Sequence, residues 1–404
     1  MFTYPSSFIR KIPKTDLHVH LDGSLRLSTL IELARERKII LPSSTEEGLI
    51  ELVFKKSYQS LDEYLQGFSW TGRVLQDAEA LERVSYELAW DSFNEGVRYI
   101  EVRFAPQLHM SRRFTFEQVM SSVDTGLRKA RDEINKKTPP EEPFFEYGII
   151  VCAMRFFTAS FSEYYRDFAA VHTYSTPQEI IQLASLELSK AAVKLSQETD
   201  IQLVGFDLAG SEYGYPAGMH EESYAYVHKN FLRKTVHAGE AYGPESIFQA
   251  ITKLHADRIG HGLHLFDESM IRKESIRDRK AYIESLVNYI AENRITIEVC
   301  LTSNLQTSPH LQRVEDHSLK QMLEKRLSLT LCTDNRLVSH TDVCSEFRLA
   351  LDHFSISPGQ LKDIIVYGFK RSFYYRPYTE KRGYVRKVIN YYESIEREFG
   401  IRSE

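Results

Sequence analysis

Short apolar runs typical of β-strands alternate along most of the chain with segments whose apolar residues recur at helical spacing. Strands that alternate with helices form a parallel sheet, and eight such units over this length fit a closed (β/α)8 TIM-type barrel. An open doubly wound sheet would usually carry a glycine-rich phosphate loop, and neither G-x-G-x-x-G nor a Walker A sequence is present. The predicted strands are Thr15–Leu21, Val97–Phe104, Glu146–Met154, Ile201–Leu208, Lys234–His237, Arg258–His261, Ile295–Leu301 and Leu327–Asp334.

Two helical segments extend this pattern beyond a minimal barrel. Residues 41–72 form a detour after the first strand unit, and residues 376–404 form a basic, tyrosine-rich C-terminal extension. Because no linker rich in glycine or proline interrupts the chain, we predict one domain over residues 1–404. The detour carries an apolar stripe at i, i+3, i+4 and i+7, for which packing is the default role and a lid over a site is the alternative. The apolar stripe consists of Leu61, Tyr64, Leu65 and Phe68.

The composition is that of a globular protein, with 42% hydrophobic and 26% charged residues. The net charge of −5, from 51 basic and 56 acidic residues, gives no sign of a nucleic-acid or membrane partner. Four cysteines without C-x-x-C spacing predict reduced thiols, and the N-terminus lacks the apolar core of a signal peptide. We therefore expect a cytoplasmic protein, and we make no prediction of its oligomeric state.

Metal-competent side chains stand at the ends of several predicted strands. His18 and His20 point to one face of the first strand because strand side chains alternate. His237 ends the fifth strand, His261 ends the sixth, and Asp334 ends the eighth. The C-terminal ends of barrel strands meet at one mouth, where the catalytic groups of such barrels lie. A lone histidine is usually structural, but five such residues at one mouth indicate a metal site.

Three histidines and one carboxylate are a zinc ligand set that leaves one coordination position for water, as in catalytic sites. Such a site lowers the pKa of water toward neutrality, and we predict one Zn²⁺ per chain. Glu240 lies three residues beyond His237 and can reach the same mouth without coordinating the metal. A general acid is the functional interpretation of Glu240, and a favourable charge at the start of a helix near Pro244 is the alternative.

Six segments, in a fixed order, carry a resemblance to a known family. They are Pro13–Gly23, Gly205–Gly210, His237–Glu240, Arg258–Gly262, Thr302–Asn304 and Thr333–Asp334. With these segments the sequence resembles the adenosine/AMP deaminase family of the metal-dependent amidohydrolase superfamily. The resemblance implies zinc-dependent deamination of adenosine, and of 2′-deoxyadenosine, to inosine and ammonia in purine salvage. The zinc deaminases that act on nucleic acid carry H-x-E…P-C-x-x-C, which is absent here.

The resemblance also assigns roles to individual residues. Glu240 matches the residue that protonates purine N1, and His261 matches the histidine that orients and deprotonates the attacking water. Gly210 matches the backbone N–H that meets purine N3, and Asp22 matches the carboxylate that binds the ribose 5′-hydroxyl. The apolar stripe resembles the hydrophobic gate of the family, which favours the lid. The residues that match the zinc ligands are His18, His20, His237 and Asp334, and we also expect His20, Asp334 and Asn335 to contact the nucleoside.

Two positions depart from the family pattern. Asn335 stands where a second aspartate usually contacts purine N7. An amide NH₂ donates at any pH, so we interpret Asn335 as compatible with adenine binding. Leu301 stands where proline is usual before Thr-Ser-Asn, and we interpret this as a change within a loop.

Several other functions remain open alternatives. An adenine deaminase typically carries Glu where Asp22 stands, and an N6-methyl-AMP deaminase would need a basic phosphate pocket. An amidohydrolase with two metals would use a lysine at the end of strand four, and residues 204–212 contain none. A nucleoside-binding protein without catalysis would have no need for Glu240 and His261 beside a complete ligand set.

Overall fold

The computed structural model describes residues 2–401. Eight strands form one sheet in which each strand pairs in parallel with the next along the chain. The main chain of the first strand also pairs with the segment after the last strand, which brings the two edges together. The predicted (β/α)8 barrel is confirmed. The strands are β1 (Lys14–His20), β2 (Val97–Phe104), β3 (Glu146–Met154), β4 (Leu203–Ala209), β5 (Arg233–Ala238), β6 (Arg258–His261), β7 (Thr296–Val299) and β8 (Leu329–Leu331).

Helices separate the strands and surround the barrel. Several begin with the capping boxes that their sequences predict, as at Thr176, where Pro177 takes the first helical position. None of the described helices is long and apolar enough to cross a membrane. The α-helices are α1 (Ser6–Lys11), α2 (Leu27–Glu36), α3 (Glu46–Leu52), α4 (Leu61–Leu65), α5 (Phe68–Val74), α6 (Ala78–Asn94), α7 (Phe116–Asn135), α8 (Glu163–Val171), α9 (Pro177–Glu198), α10 (Glu221–Lys229), α11 (Pro244–Thr252), α12 (Arg279–Glu292), α13 (Leu301–Thr307), α14 (Leu319–Glu324), α15 (Arg336–Ser339), α16 (Val343–His353), α17 (Pro358–Arg371) and α18 (Tyr378–Glu398). Short 3₁₀ helices lie at Pro106–Leu108, Ala217–His220, Glu268–Met270 and Val314–Asp316.

The interpretation of Leu301 as a loop residue was wrong, because Leu301 is the first residue of α13. The N–H group at this helical position has no partner within the helix, which is why proline is favoured there. A leucine therefore loses no helical hydrogen bond at the same place, and its side chain is fully buried.

The detour at residues 41–72 contains α3, α4 and the start of α5. Hydrogen bonds tie it to the segment that follows β8. The Tyr58 hydroxyl donates to the carbonyl of Val338 (3.1 Å), and the hydroxyls of Tyr64 and Ser339 are 2.7 Å apart. The detour is thus fastened to the mouth of the barrel, where it meets the C-terminal ends of β1 and β8. Its role as a lid stays a prediction.

Candidate active site

The structure brings the five metal-competent residues together at the mouth. His18 and His20 lie within the last three residues of β1, His237 lies near the end of β5, and His261 ends β6. Asp334 lies three residues beyond β8. Two overlapping groups of side chains have potential ligand atoms within 4.8 Å of one another. One contains the three histidines His18, His20 and His237 with Asp334, and the other contains Glu240, His261 and Asp334.

The main chain of the potential ligands closes the barrel. The N–H of His20 donates to the carbonyl of Asp334, and the N–H of Asp334 donates to the carbonyl of His18, both at 2.8 Å. These bonds fix the side chains from the two edges of the sheet relative to each other. Gly260 of β6 leaves the space for this arrangement, because a Cβ there would lie 2.9 Å from Cε1 of His18.

Buried carboxylates orient two of the histidines from behind. Nδ1 of His18 is 2.8 Å from a carboxylate oxygen of Glu298, and Nδ1 of His237 is 3.0 Å from one of Asp207. Arg103 donates to both of these carboxylates at 2.8 Å. Each Nδ1 therefore carries its hydrogen toward a carboxylate, and each Nε2 presents a lone pair to the mouth.

No sequence pattern had indicated a role for Glu298, Asp207 or Arg103. Each interrupts an apolar run that forms a strand, and all three are fully buried. A charged residue inside an otherwise apolar strand is the signal that could have found them, since buried charges are almost always paired.

The geometry of the four side chains fits a single metal ion. Tetrahedral zinc with bonds of about 2.0–2.1 Å places its ligand atoms about 3.3 Å apart. The Nε2 atoms of His20 and His237 are 3.1 Å apart, and Oδ1 of Asp334 is 3.5 Å from Nε2 of both His18 and His20. Nε2 of His18 is buried and has no hydrogen-bond partner among the described residues. Burial lowers the pKa of His18 and His20 well below the ordinary value, so both rings are neutral at pH 7, the form that binds metal.

Glu240 lies in a tight turn of residues 239–242, which we call the Glu240 turn. One carboxylate, that of Glu212, accepts hydrogen bonds from all four N–H groups of this turn at 2.7–3.1 Å. It also accepts a hydrogen bond from the hydroxyl of Ser246. Burial, followed by the charges of Asp334 and Glu212, raises the pKa of Glu240 well above the ordinary value. This environment favours the protonated form of Glu240, which can donate a proton.

A chain of hydrogen bonds sets the tautomer of His261. The N–H of Leu319 donates to Nδ1 of His317, so Nε2 of His317 carries a hydrogen and donates to Oδ1 of Asn304. The amide NH₂ of Asn304 then donates to Nδ1 of His261 at 3.0 Å. Burial lowers the pKa of His261 well below the ordinary value, so the ring is neutral and holds its one hydrogen on Nε2. That N–H lies 3.7 Å from a carboxyl oxygen of Glu240.

A cavity opens in front of these groups, and the apolar stripe forms one side of its wall. Asn335 also lies on the wall, where its NH₂ donates to Oδ1 of Asp334 at 2.8 Å, so one N–H remains for a ligand. Gly210 has a positive φ of 94° and also lines the cavity. The lining residues are His20, Leu61, Tyr64, Leu65, Phe68, Ala209, Gly210, His237, Glu240, His261, Asp334 and Asn335.

Asp22 and His18 differ from the other predicted site residues because they do not line this cavity. His18 is completely buried beneath it. Asp22 is also buried, with Oδ2 lying 3.9 Å from Nε2 of His109. All the other predicted site residues line the cavity.

Comparisons with known proteins agree with this geometry. A family model described as adenosine deaminase matches residues 13–391. The chain is 33% identical over 387 residues to adenosine deaminase 1 of Streptomyces coelicolor, which covers 94% of this chain and 87% of that protein. Among solved structures, an adenine deaminase from Arthrobacter aurescens covers 95% of this chain and 99% of its own, with 20% identity and a TM-score of 0.74. An N6-methyl-AMP deaminase from Arabidopsis thaliana covers 96% of this chain and 98% of its own, with 24% identity and a TM-score of 0.72.

The barrel carries at its mouth a cluster of histidines and an aspartate that could hold a metal ion. The two solved structures show the fold, and the family model covers nearly the whole chain. The chain belongs to the adenosine deaminase family. The predicted family and the prediction of an enzyme are confirmed, and the protein is a deaminase.

Proposed function

We propose that this deaminase hydrolyses adenosine, and 2′-deoxyadenosine, to inosine and ammonia, using one zinc ion held by His18, His20, His237 and Asp334. The observation that carries the proposal is a buried Glu240 with a raised pKa, which lines the same cavity as His261 and three of these potential ligands, His20, His237 and Asp334. The name of the Streptomyces relative supports adenosine as the substrate. We further propose a cytoplasmic enzyme of purine salvage without a nucleic-acid partner.

Zinc, when bound, supplies a Lewis acid that lowers the pKa of water toward neutrality. Glu240 donates its proton to purine N1, which makes C6 electrophilic. The oxygen of a water adds to C6, one of its protons passes to the exocyclic nitrogen, and the other restores Glu240. The bond from C6 to the exocyclic nitrogen then breaks, and ammonia leaves as C6 becomes a carbonyl. His261 orients the attacking oxygen by donating from Nε2–H. The deprotonating role that the family resemblance implies for His261 is not favoured, because the hydrogen-bond chain from Leu319 leaves Nε2 without a free lone pair.

The remaining predicted residues bind the substrate in this proposal. The free N–H of Asn335 donates to purine N7, the backbone N–H of Gly210 meets N3, and Asp22 binds the ribose 5′-hydroxyl. The apolar stripe covers the purine and excludes water, as expected of a lid built by residues 41–72.

The substrate separates this proposal from its closest alternatives, an adenine deaminase and an N6-methyl-AMP deaminase. Both activities occur among proteins of similar fold, but those likenesses, at 20% and 24% identity, show the fold alone. Asp22 favours a hydroxylated ribose over a phosphate, because its carboxylate would repel a phosphate dianion.

Ultraviolet absorbance with purified protein tests the proposal on adenosine, adenine, AMP and N6-methyl-AMP. We expect rapid loss of the adenosine band with release of ammonia. We expect Glu240→Gln to lower kcat by roughly 10²- to 10⁴-fold, the usual contribution of a general acid, while metal content stays unchanged. Glu245→Gln is the matched control, because the Glu245 carboxylate lies outside the cavity and accepts two backbone N–H groups at 2.9 Å. Faster turnover of adenine or of a nucleotide than of adenosine would contradict the proposal.

A further inference from the structure

A row of buried polar groups runs from the start of α14 to the mouth of the barrel. Each group donates a hydrogen bond to the next one, so the direction of the whole row is set at its far end. The three side chains in the row are at most 1% exposed, which keeps bulk water from exchanging with any of them. We call this row the relay, and it consists of Leu319, His317, Asn304 and His261.

The far end of the relay cannot reverse. Leu319 is the first residue of α14, where a backbone N–H has no partner within the helix, and it donates to Nδ1 of His317 at 3.0 Å. Burial lowers the pKa of His317 to about 3, so the ring is neutral at pH 7 and carries one hydrogen. A backbone N–H can only donate, and the hydrogen of His317 is therefore fixed on Nε2.

Asn304 passes this direction on to His261. Its Oδ1 lies 3.2 Å from Nε2 of His317, and its NH₂ lies 3.0 Å from Nδ1 of His261. Turning the amide over would place its NH₂ against the Nε2–H of His317, and two donors cannot bond to each other. Asn304 therefore presents a donor to His261, and the neutral ring keeps its hydrogen on Nε2.

The place of this hydrogen decides what His261 can do at the cavity, which it lines. With the hydrogen on Nε2, the ring donates to the oxygen that attacks C6 and stabilises the negative charge on it. With the hydrogen on Nδ1, Nε2 would have a free lone pair and could accept a proton as a general base. The relay selects the first of these two forms.

We propose that His317 and Asn304 are positioning residues for the reaction, which act through His261 by holding its hydrogen on Nε2 toward the attacking oxygen. This inference rests on the proposed function. It explains why the protons of the water pass to the exocyclic nitrogen and to Glu240 rather than to His261. His317 does not line the cavity, and it lies outside every sequence segment that resembles the family.

Asn304→Asp replaces one nitrogen by oxygen and reverses the last step of the relay. A carboxylate accepts from His317 as before, but it also accepts from His261, whose hydrogen then moves to Nδ1. The ¹⁵N chemical shifts of a histidine ring distinguish a nitrogen that carries a hydrogen from one that does not. In metal-loaded enzyme with ¹⁵N-labelled histidine, the signal of His261 is the one that disappears in His261→Asn.

We expect the hydrogen on Nε2 in the wild type and on Nδ1 in Asn304→Asp. The variant should also lose kcat on adenosine, per bound metal, by roughly 10²- to 10³-fold, the usual effect of removing one such donor. KM should stay within about threefold, because the contact is made in the transition state. A general base would respond in the opposite sense, so a kcat equal to or above that of the wild type would overturn the proposal. An unchanged ring signal would overturn it as well, whatever the rate.

His317→Asn tests the relay without altering the residue that lines the cavity. Its amide oxygen takes the place of Nδ1 toward Leu319, but the Nε2–H is deleted, so Asn304 is free to turn over. The signal of His261 should then show both forms, and kcat should fall in proportion to the fraction with hydrogen on Nδ1. A signal that stays entirely in the wild-type form would overturn the role of His317.

Asn135→Asp is the matched control for a buried exchange of amide for carboxylate. Asn135 pairs with the N–H and the carbonyl of Phe145 at 2.8 Å, just before β3 and therefore at the opposite end of the barrel. This control should lower stability and leave both kcat and the signal of His261 unchanged. Wild-type enzyme that turns over adenine but not adenosine would overturn the proposed function without moving the ring signal, so the two failures are distinguishable.

Discussion

A single carboxylate holds the turn that carries the proposed general acid, and Glu212→Gln removes its charge while keeping its shape. Oε2 of Glu212 accepts from three N–H groups of the Glu240 turn, and Oε1 accepts from the fourth and from the hydroxyl of Ser246. A glutamine offers one carbonyl oxygen. If that oxygen faces the three N–H groups, the amide NH₂ must face the fourth.

The expected cost follows from these contacts. One buried N–H group loses its acceptor, at about 1–3 kcal/mol, and three hydrogen bonds lose a charged acceptor, at roughly 1 kcal/mol each. The sum of about 4–6 kcal/mol is an upper limit, since the turn can relax and part of the loss appears as reduced stability. If one third to one half of it falls on the position of Glu240 in the transition state, kcat drops roughly 10- to 100-fold.

The charge of Glu212 has a second effect that can be measured separately. It is one of the causes, after burial and Asp334, that raise the pKa of Glu240. A general acid loses activity as pH rises through its pKa, so neutralising Glu212 should move the alkaline limb of the kcat profile to lower pH. We therefore measure kcat per bound metal across a range of pH. The size of kcat reports the position of Glu240, and the pH of the alkaline limb reports its protonation.

Glu245→Gln is again the control, because it weakens two hydrogen bonds to the backbone N–H groups of Arg272 and Lys273 outside the site. It should lower thermal stability without changing kcat. The reasoning would be refuted by a Glu212→Gln enzyme with full metal content, a lower unfolding temperature, and the wild-type kcat and pH profile. Glu212 would then act on stability alone.

Two further predictions concern the metal and the pH dependence of stability. A chelator should abolish deamination and lower the unfolding temperature, because a metal that binds only the folded state stabilises it. An activity assay measures the first effect, and calorimetry with and without added Zn²⁺ measures the second. An unchanged unfolding temperature would argue against the four-residue centre. Burial raises the pKa of Glu346 to about 7. The folded state then binds more protons than the unfolded state between about pH 4.5 and 7, so the free energy of unfolding should fall by up to ~3 kcal/mol as pH rises across this window. Denaturant titrations at pH 5 and 7.5 should show a larger fall in the wild type than in Glu346→Gln, because buried Asp16, whose pKa burial raises to about 6, contributes equally to both proteins. An equal fall in the free energy of unfolding of both proteins would contradict the prediction.

The barrel was predictable because its signals are local. Each strand is an apolar run, each helix has a periodic face, and the potential ligands follow strand ends in the chain. The closing bonds between β1 and the segment around Asp334 join residues more than 300 positions apart, and no local pattern encodes them. Asp334 also has a positive φ of 63°, a backbone conformation that aspartate tolerates but that its presence in a sequence does not predict.

The supporting polar residues were harder to predict for a different reason. Glu212 and His109 lie in loops, where polar residues are common and carry no pattern. Their contacts, Glu212 with the Glu240 turn and His109 with Asp22, exist only in the folded chain. Asn304 belongs to the Thr302–Asn304 segment that resembles the family, but its role in setting the tautomer of His261 depends on His317, thirteen residues away.

The seam between β1 and the segment after β8 has a consequence for how the protein is made. Its potential metal ligands run from His18 to Asp334, and their main-chain bonds form only when the last strand docks against the first. A nascent chain on the ribosome therefore lacks a complete metal centre until Asp334 has emerged. A metal held by all four residues would therefore contribute nothing to the early steps of folding, and its binding energy would stabilise the barrel only once the first and last strands have met.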